Sequence, residues 1–114
     1  MGHDAVMQFL ALASSDDAWF ASTPPEDVAR LTAGEARRTW ELRASGMIRE
    51  LWWRLDRRDV VILLEARDEG AAREALDTLP LVASGALAFE VVGLVPYDGW
   101  ERLFAAGAWV PGQR

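Results

Sequence analysis

The chain contains no cysteine and no lysine, and its only histidine is His3. These absences exclude thiol nucleophiles, Schiff-base lysines and Ser-His-Asp relays, and they leave almost no ligands for zinc. Acid–base chemistry in this protein therefore falls to aspartate, glutamate or Tyr97. The sequence also carries no motif typical of a cofactor, so we expect the protein to work without a cofactor or a metal.

Positive charge is scarce as well. The chain has 12 basic and 18 acidic residues, which gives a formal net charge of −6. Proteins that bind nucleic acids or anionic membranes need a basic surface, so we expect no nucleic acid and no membrane as a partner. A small anionic substrate is compatible with this composition, because one or two buried arginines are enough to bind it.

No apolar run is long enough to cross a membrane. Residues 6–13 are apolar, but His3 and Asp4 stand where a signal peptide would carry positive charge. We therefore interpret this segment as a first strand and expect a cytoplasmic protein. The 114 residues predict a single domain with a core over about residues 5–96, followed by a tail over residues 97–114.

Apolar segments and turn signals follow one another in the order strand, helix, strand, strand, helix, strand. Pro24 and Pro25, followed by two acids, begin the first helix, and Gly46 ends it near Ser45. The predicted strands cover residues 6–12, 48–55, 60–66 and 87–95, and the second helix runs from Asp68 to about Leu79. Residues 14–25 are predicted to form a loop, residues 56–59 a hairpin turn and residues 81–86 a connection.

This order is typical of the ferredoxin-like βαββαβ fold, an α+β architecture with a four-stranded antiparallel sheet and two helices on one face. The strands do not alternate cleanly, because residues 60–64 are all apolar and residues 87–92 are nearly so. A sheet with one solvated face should alternate, so we expect a second copy to cover the other face. The predicted assembly is a homodimer or a larger homo-oligomer, built on a dimeric α+β barrel that the tail helps to close.

Glu35 is the candidate catalytic residue. Helical periodicity places Val28, Leu31 and Leu42 on one stripe of the first helix, and Glu35 lies in the middle of that stripe. Burial there would raise the pKa of the carboxyl group and make it a general base near neutral pH. The alternative is that Glu35 lies at a solvated edge of the helix or pairs with Arg38 or an arginine of the second strand.

The second predicted strand carries the candidate binding residues. Alternation places Glu50, Trp52 and Arg54 on one face, and Arg49, Leu51 and Trp53 on the other. Tryptophans flanked by arginines suit a flat anionic molecule, because arginine binds a carboxylate while tryptophan forms an apolar wall. We therefore predict substrate-binding roles for Arg49, Glu50, Trp52, Trp53 and Arg54. The alternative is that the tryptophans belong to the core and the charged side chains are solvated.

Two segments carry a family resemblance. Residues 31–52 read L-x3-E-x10-G-x2-R-x-L-W, and residues 79–94 contain L-P-L followed by E-V-x-G-L. In order and spacing these segments resemble muconolactone isomerases, and the similarity covers roughly residues 31–96. The resemblance implies a ferredoxin-like subunit, a dimeric barrel, no cofactor and migration of a double bond in a five-membered lactone. It also implies that Glu35 is the helix glutamate of that family, and that Arg49 and Trp52 belong to its strand motif.

The sequence departs from the family pattern at two positions. Ala36 stands where the family usually has lysine after the helix glutamate, and Glu50 stands where it usually has histidine. The departures are compatible with a different, larger ring substrate in the same barrel. Three hypotheses follow: an isomerase or related proton-transfer enzyme that uses Glu35, a cofactor-free oxygenase or cyclase acting on an aromatic polyketide, and a non-catalytic dimeric ligand-binding module.

Overall fold

The computed structural model describes residues 6–105. Four strands form one sheet: β1 (Met7–Ser15), β2 (Ile48–Trp53), β3 (Val60–Ala66) and β4 (Leu87–Leu94). Four helices lie between them: α1 (Asp17–Ser22), α2 (Pro25–Ser45), α3 (Glu69–Asp77) and α4 (Pro80–Ala83). A short 3₁₀ helix (Gly99–Phe104) follows β4. None of the helices described over these residues combines the length and the apolar character needed to cross a bilayer.

The sheet has the strand order β2-β3-β1-β4, and every neighbouring pair is antiparallel. One face carries the core, in which Phe9, Ile62 and Leu64 from the sheet pack with Leu42 of α2 and Leu76 of α3. Both long helices therefore cover the same face of the sheet. This arrangement confirms the predicted α+β, ferredoxin-like fold.

The long helix α2 begins and ends where the sequence predicts. Pro25 occupies the first turn, where the missing N–H costs nothing, and Glu26 and Asp27 lie near the positive end of the helix dipole. At the other end Gly46 adopts a φ of 88°, a left-handed conformation that glycine adopts without steric cost, and its N–H donates to the carbonyl of Arg43. These two signals place Glu35 halfway along a continuous helix.

Two segments predicted as irregular contain short helices. Residues 17–22 form α1, whose first turn is capped by the Asp16 carboxylate accepting from the Trp19 N–H. This segment packs against the domain, where Trp19 Nε1 donates to the carbonyl of Ser84 at 3.0 Å. Similarly, residues 81–83 of the predicted connection belong to α4, which begins at Pro80. Helices of six and four residues show too little periodicity for a sequence pattern to reveal them.

Strand β2 is irregular, and this overturns part of the predicted alternation. A register shift lies between Ile48 and Glu50, after which Leu51 and Trp53 pair with Ile62 and Val60 on the helix-covered side. Arg49 is the extra residue at this shift, and its side chain points to Glu65 on the opposite face of the sheet. The predicted grouping of Arg49 with Leu51 and Trp53 is therefore wrong, because a bulge moves one residue to the other face.

The sheet face opposite the helices has an apolar centre and lacks cover within residues 6–105, although Gln8, Glu65 and Glu90 also point to this side. Cross-strand pairing places Leu10 between Leu63 and Val92 on this face, and Trp52 pairs with Val61 at one edge. Trp52 is 48% exposed and Val92 is 40% exposed. We call this surface the outer face. The apolar runs in the strands arise because the centre of the outer face is apolar as well as the core face, although the helices bury only the core face.

The described part of the tail is also exposed. Tyr97, Trp100 and Phe104 are each more than two thirds exposed, and the rings of Tyr97 and Trp100 contact each other edge to face. The predicted packing of residues 97–114 on a partner stays a prediction. Residues 106–114, like His3, lie outside the described residues.

Candidate functional site

Glu35 faces the interior side of α2, in the middle of the stripe that the sequence indicates. Its side chain is partly buried, and Oε1 accepts a hydrogen bond of 2.9 Å from the backbone N–H of Leu81. Glu35 forms no salt bridge among the described residues, either with Arg38 or with an arginine of β2. A backbone amide thus holds one oxygen of the carboxylate, and Oε2 is left without a hydrogen bond from the described part of the protein.

The L-P-L segment explains how Leu81 reaches Glu35. Leu79 is fully buried, Pro80 begins α4, and the N–H of Leu81 is one of the first-turn donors that have no partner within a helix. Gly34 of α2 lies against Pro80, where an added Cβ atom would be 3.4 Å from the Pro80 ring. A small residue at this point lets α4 approach α2, so that Leu81 can donate to the neighbouring Glu35.

Burial raises the pKa of the Glu35 carboxyl above its ordinary value of 4.5, because the charged form loses hydration, and the Leu81 hydrogen bond partly opposes this effect. The two influences have different consequences. Burial makes the carboxylate a stronger base, whereas the amide fixes its orientation. A half-buried carboxylate of this kind is suited to accept and return a proton.

Glu35 lines a cavity of about 500 Å³ between α2, α1, α4 and the start of the β2-β3 hairpin. We call it the Glu35 cavity. Its volume lies in the range of pockets that bind small organic ligands. Most of the other lining residues are apolar. Together with Glu35, the cavity is lined by Ser15, Phe20, Thr32, Ala36, Thr39, Leu51, Trp53, Arg58, Asp59, Val60, Ile62, Leu81 and Leu87.

Of the five predicted binding residues, the cavity brings only Trp53 together with Glu35. Arg49 and Trp52 lie on the outer face, where Arg49 approaches Glu65 at 4.0 Å. Glu50 lies on the edge strand β2 and approaches Arg43 of α2 at 3.9 Å. The bulge accounts for the position of Arg49, whereas alternation with Leu51 and Trp53 accounts for that of Trp52. Trp52 pairs with Val61 on that face and does not line the cavity.

Arg54 is occupied by a neighbour in the hairpin turn. Its Nε and Nη2 atoms donate to the two carboxylate oxygens of Asp56, at 2.9 and 2.7 Å. This bidentate contact holds the pKa of Asp56 below its ordinary value. Because its guanidinium already binds a carboxylate, Arg54 has little capacity left for an anionic ligand.

The structure adds two charged residues that the sequence pattern missed, Arg58 and Asp59, both from the hairpin turn. The guanidinium carbon of Arg58 lies 4.3 Å from the centre of the Trp53 ring, a cation–π contact. Asp59 is only 8% exposed, accepts from Ser15 Oγ at 2.6 Å and pairs with Arg57 Nε at 2.7 Å. The sequence marks this turn only as polar, and periodicity contains no signal that it lies beside a cavity.

Phe20 is a third missed residue, contributed by the short helix α1. The apolar pair Trp19-Phe20 inside a polar segment indicates contact with the core, but it does not indicate a ligand site. With respect to metals, residues 6–105 contain no cluster of three or more histidine, cysteine or carboxylate side chains that could hold an ion.

Comparisons with known proteins agree with this architecture. The sequence pattern of the muconolactone delta-isomerase family matches residues 7–98. Among solved structures, a crystal structure of muconolactone isomerase superimposes with a TM-score of 0.66 at 22% identity, covering 82% of this chain and 93% of that one. At this identity the structural likeness shows the fold. A search of curated protein sequences found no match.

Proposed function

This chain belongs to the muconolactone delta-isomerase family, and we propose that it is a cofactor-independent isomerase that moves a double bond in a small lactone or another enolisable ring. Glu35 is the proposed proton carrier. The observation that carries this proposal is the position of a partly buried carboxylate, free of any arginine partner among the described residues, on the wall of a mostly apolar cavity.

For a lactone whose C=C bond is conjugated with the ring carbonyl, the proposed reaction begins when ionised Glu35 removes a proton from the saturated ring carbon at the far end of the conjugated system. The electrons of the broken C–H bond form a new C=C bond, the original C=C electrons shift toward the carbonyl carbon, and the carbonyl π electrons move to oxygen to give a dienolate. Glu35, now protonated, returns the proton to the carbon beside the carbonyl as the carbonyl reforms, which leaves the double bond one position further from the carbonyl. The atoms balance within the substrate, because the proton that is removed is the proton that is returned.

The local structure supports a single carboxylate in both steps. Leu81 holds Oε1 through its backbone N–H, so we assign the proton transfer to Oε2. A base whose pKa is raised by burial accepts a carbon-bound proton more readily than an ordinary carboxylate does. The apolar walls from Leu51, Ile62 and Leu87 keep water away from the protonated carboxyl group, which favours return of the proton to the substrate.

The cavity size also favours a second candidate, a cofactor-free oxygenase or cyclase acting on a larger aromatic ring. About 500 Å³ is within the range of pockets for drug-sized ligands. Ala36 lies on the cavity wall and adds little bulk to it. In this candidate Glu35 would still take a proton from the ring, and consumption of molecular oxygen distinguishes the oxygenase from the isomerase.

A homodimer completes the proposed assembly. The outer face exposes a continuous group of apolar side chains around Leu10, and a second copy packed sheet to sheet would remove them from water. The Glu35 cavity lies on the opposite, helix-covered side of the sheet. A dimer through the outer face would therefore leave the cavity open to substrate.

Turnover measurements test the proposed reaction. We expect the wild-type protein to isomerise muconolactone or a related unsaturated lactone, as followed by chromatography of the two isomers. Glu35→Gln should lose at least a thousandfold in kcat while it keeps the fold, because an amide cannot accept the proton. Glu41→Gln removes the same charge from an exposed position on α2 and should keep full activity.

An oxygen electrode run with a polycyclic phenol separates the second candidate from the first. Oxygen uptake without lactone isomerisation would replace the isomerase proposal with the oxygenase. If a well-folded protein shows neither activity across these substrates, the proposal is contradicted and a ligand-binding module becomes the better account.

A further inference from the structure

The Glu35 cavity has one guanidinium on its wall, and that side chain has no protein anion to bind. Arg58 lines the cavity, and it forms no salt bridge and no side-chain hydrogen bond with the residues described. The neighbouring arginines of the same turn differ in this respect. Arg54 binds Asp56 through two hydrogen bonds, and Arg57 binds Asp59.

Trp53 gives the Arg58 guanidinium a defined position. The guanidinium carbon lies over the indole at 4.3 Å from the ring centre, and Trp53 also lines the cavity. A guanidinium held against a ring face keeps the N–H groups at its edge free, and these are the donors that bind a carboxylate through two parallel hydrogen bonds. Trp53 is 59% exposed, which places the pair at the open side of the cavity.

The hairpin turn that carries Arg58 is tied to the sheet. The Arg54 N–H donates to the Asp59 carbonyl at 2.9 Å, and the buried Asp59 carboxylate accepts from Ser15 of β1. Arg57 compensates the charge of Asp59. These contacts all involve Asp59, the residue directly after Arg58, and they hold the turn where the Arg58 side chain reaches the cavity.

We infer that Arg58, lying over Trp53, binds a carboxylate of the substrate at the open side of the Glu35 cavity. The inference rests on the proposed function and adds a binding residue to it: the substrate ring would be directed toward Glu35, and the substrate carboxylate toward Arg58. A single available guanidinium matches a single negative charge. A dianionic group such as phosphate is disfavoured, because Asp59 and Glu35 line the same cavity.

Arg49 and Arg54, the arginines that the sequence predicts for this role, do not line the cavity. Arg49 lies on the outer face near Glu65, and Arg54 is paired with Asp56. We therefore assign anion binding to Arg58 in the hairpin turn, which does line the cavity. Arg58 is a binding residue in this scheme, and Asp59 is a positioning residue that acts through it.

Binding measurements with paired probes test this assignment. Calorimetric titrations would compare muconolactone with its methyl ester, and 2-naphthylacetate with its methyl ester, on wild-type protein. We expect each acid to bind about tenfold or more tightly than its ester, and Arg58→Ala to abolish that preference while leaving ester affinity unchanged. Arg58→Lys should recover part of the preference, because lysine keeps the charge and loses the planar fork.

Arg67→Ala is the matched control, since Arg67 is an exposed arginine that follows β3 and lies outside the cavity lining. It should bind acids and esters as the wild type does. An unchanged preference for the acids in Arg58→Ala, or wild-type protein that binds neither acid better than its ester, would overturn the inference.

The same titrations separate this inference from the proposed reaction. Glu35→Gln should bind both acids at least as tightly as the wild type, because it removes a negative charge from the cavity. If Arg58-dependent binding of the acids is present while no isomerisation occurs, the reaction is wrong and the anion site stands. If isomerisation requires Glu35 but acids and esters bind and react alike, the reaction stands and the anion site is wrong.

Discussion

The contact between Glu35 and Leu81 predicts opposite stability effects for two substitutions at one position. Glu35→Gln keeps an oxygen that can accept the Leu81 N–H and removes the partly buried charge. Glu35→Ala removes the acceptor as well, which leaves the amide of the buried Leu81 without its partner. Comparing the two variants therefore separates the contribution of the hydrogen bond to the free energy of unfolding from the contribution of the charge.

The pH dependence follows from the direction of the pKa change. Because burial raises the pKa of Glu35 in the native state above its ordinary 4.5, the native protein binds this proton more tightly than the unfolded chain does. The stability that protonated Glu35 contributes is complete below about pH 4.5 and is lost as the pH rises through the native pKa. Glu35→Gln has no such loss, so its free energy of unfolding should rise relative to wild type between pH 4.5 and pH 8.

The expected size of the alanine effect comes from the lost hydrogen bond. A buried amide without its partner costs about 1–3 kcal/mol, and for a domain of this size 1 kcal/mol corresponds to roughly 4 °C in Tm. Near pH 4.5 Glu35→Ala should therefore melt several degrees below both wild type and Glu35→Gln. At pH 8 the difference from wild type becomes smaller, because the alanine variant lacks the partly buried charge, whereas the difference from Glu35→Gln remains.

Thermal melts followed by far-ultraviolet circular dichroism at pH 4.5, 6 and 8 measure all three proteins. The Glu41→Gln variant, which alters an exposed carboxylate of the same helix, provides the control for a charge change without burial. If Glu35→Gln loses stability relative to wild type as the pH rises, the carboxylate is stabilised in its charged form. That result would refute the description of Glu35 as a base activated by burial.

Three further predictions address the turn, the cavity wall and the outer face. Asp59→Asn should lower the free energy of unfolding by about 1–2 kcal/mol in urea titrations, because the buried contacts to Ser15 and Arg57 weaken; an unchanged midpoint would contradict the anchoring of the turn. Ala36→Lys places an ammonium group on the wall beside Glu35 and should lower the pKa of that carboxyl, moving the acidic limb of the pH–rate profile to lower pH. Leu10→Glu should convert a dimer to a monomer in light scattering with an unchanged circular dichroism spectrum, and a wild-type monomer at micromolar concentration would contradict the proposed interface.

The fold could be predicted from the sequence because its signals are local and strong. Pro25 and Gly46 mark the ends of α2, and the order of strands and helices leaves few topologies to consider. The position of Glu35 on the interior stripe follows from the same helical period. These features depend on residues that are close together in the chain. Periodicity and capping are local patterns, so they carry information only over such short sequence separations.

The remainder of the candidate site depends on contacts that no pattern reveals. A single extra residue in β2 separates Arg49 from Leu51 and Trp53, and alternation cannot indicate where a bulge lies. The hydrogen bond from Leu81 to Glu35 joins residues 46 positions apart. Arg58 and Phe20 reach the cavity from a turn and a six-residue helix, whose placement is set by tertiary packing. The position of Glu35 could therefore be predicted from the sequence, whereas the residues around it could be identified only from the structure.

Double-bond migration in heavy water tests the central claim most directly. Proton nuclear magnetic resonance of muconolactone in heavy water would compare wild-type protein with Glu35→Gln. We predict that the wild type moves the double bond, with or without uptake of deuterium at the carbon beside the carbonyl, and that Glu35→Gln does neither while remaining folded. Equal migration with both proteins would contradict the role of Glu35, and the absence of both migration and deuterium uptake with folded wild-type protein would contradict this lactone as the substrate.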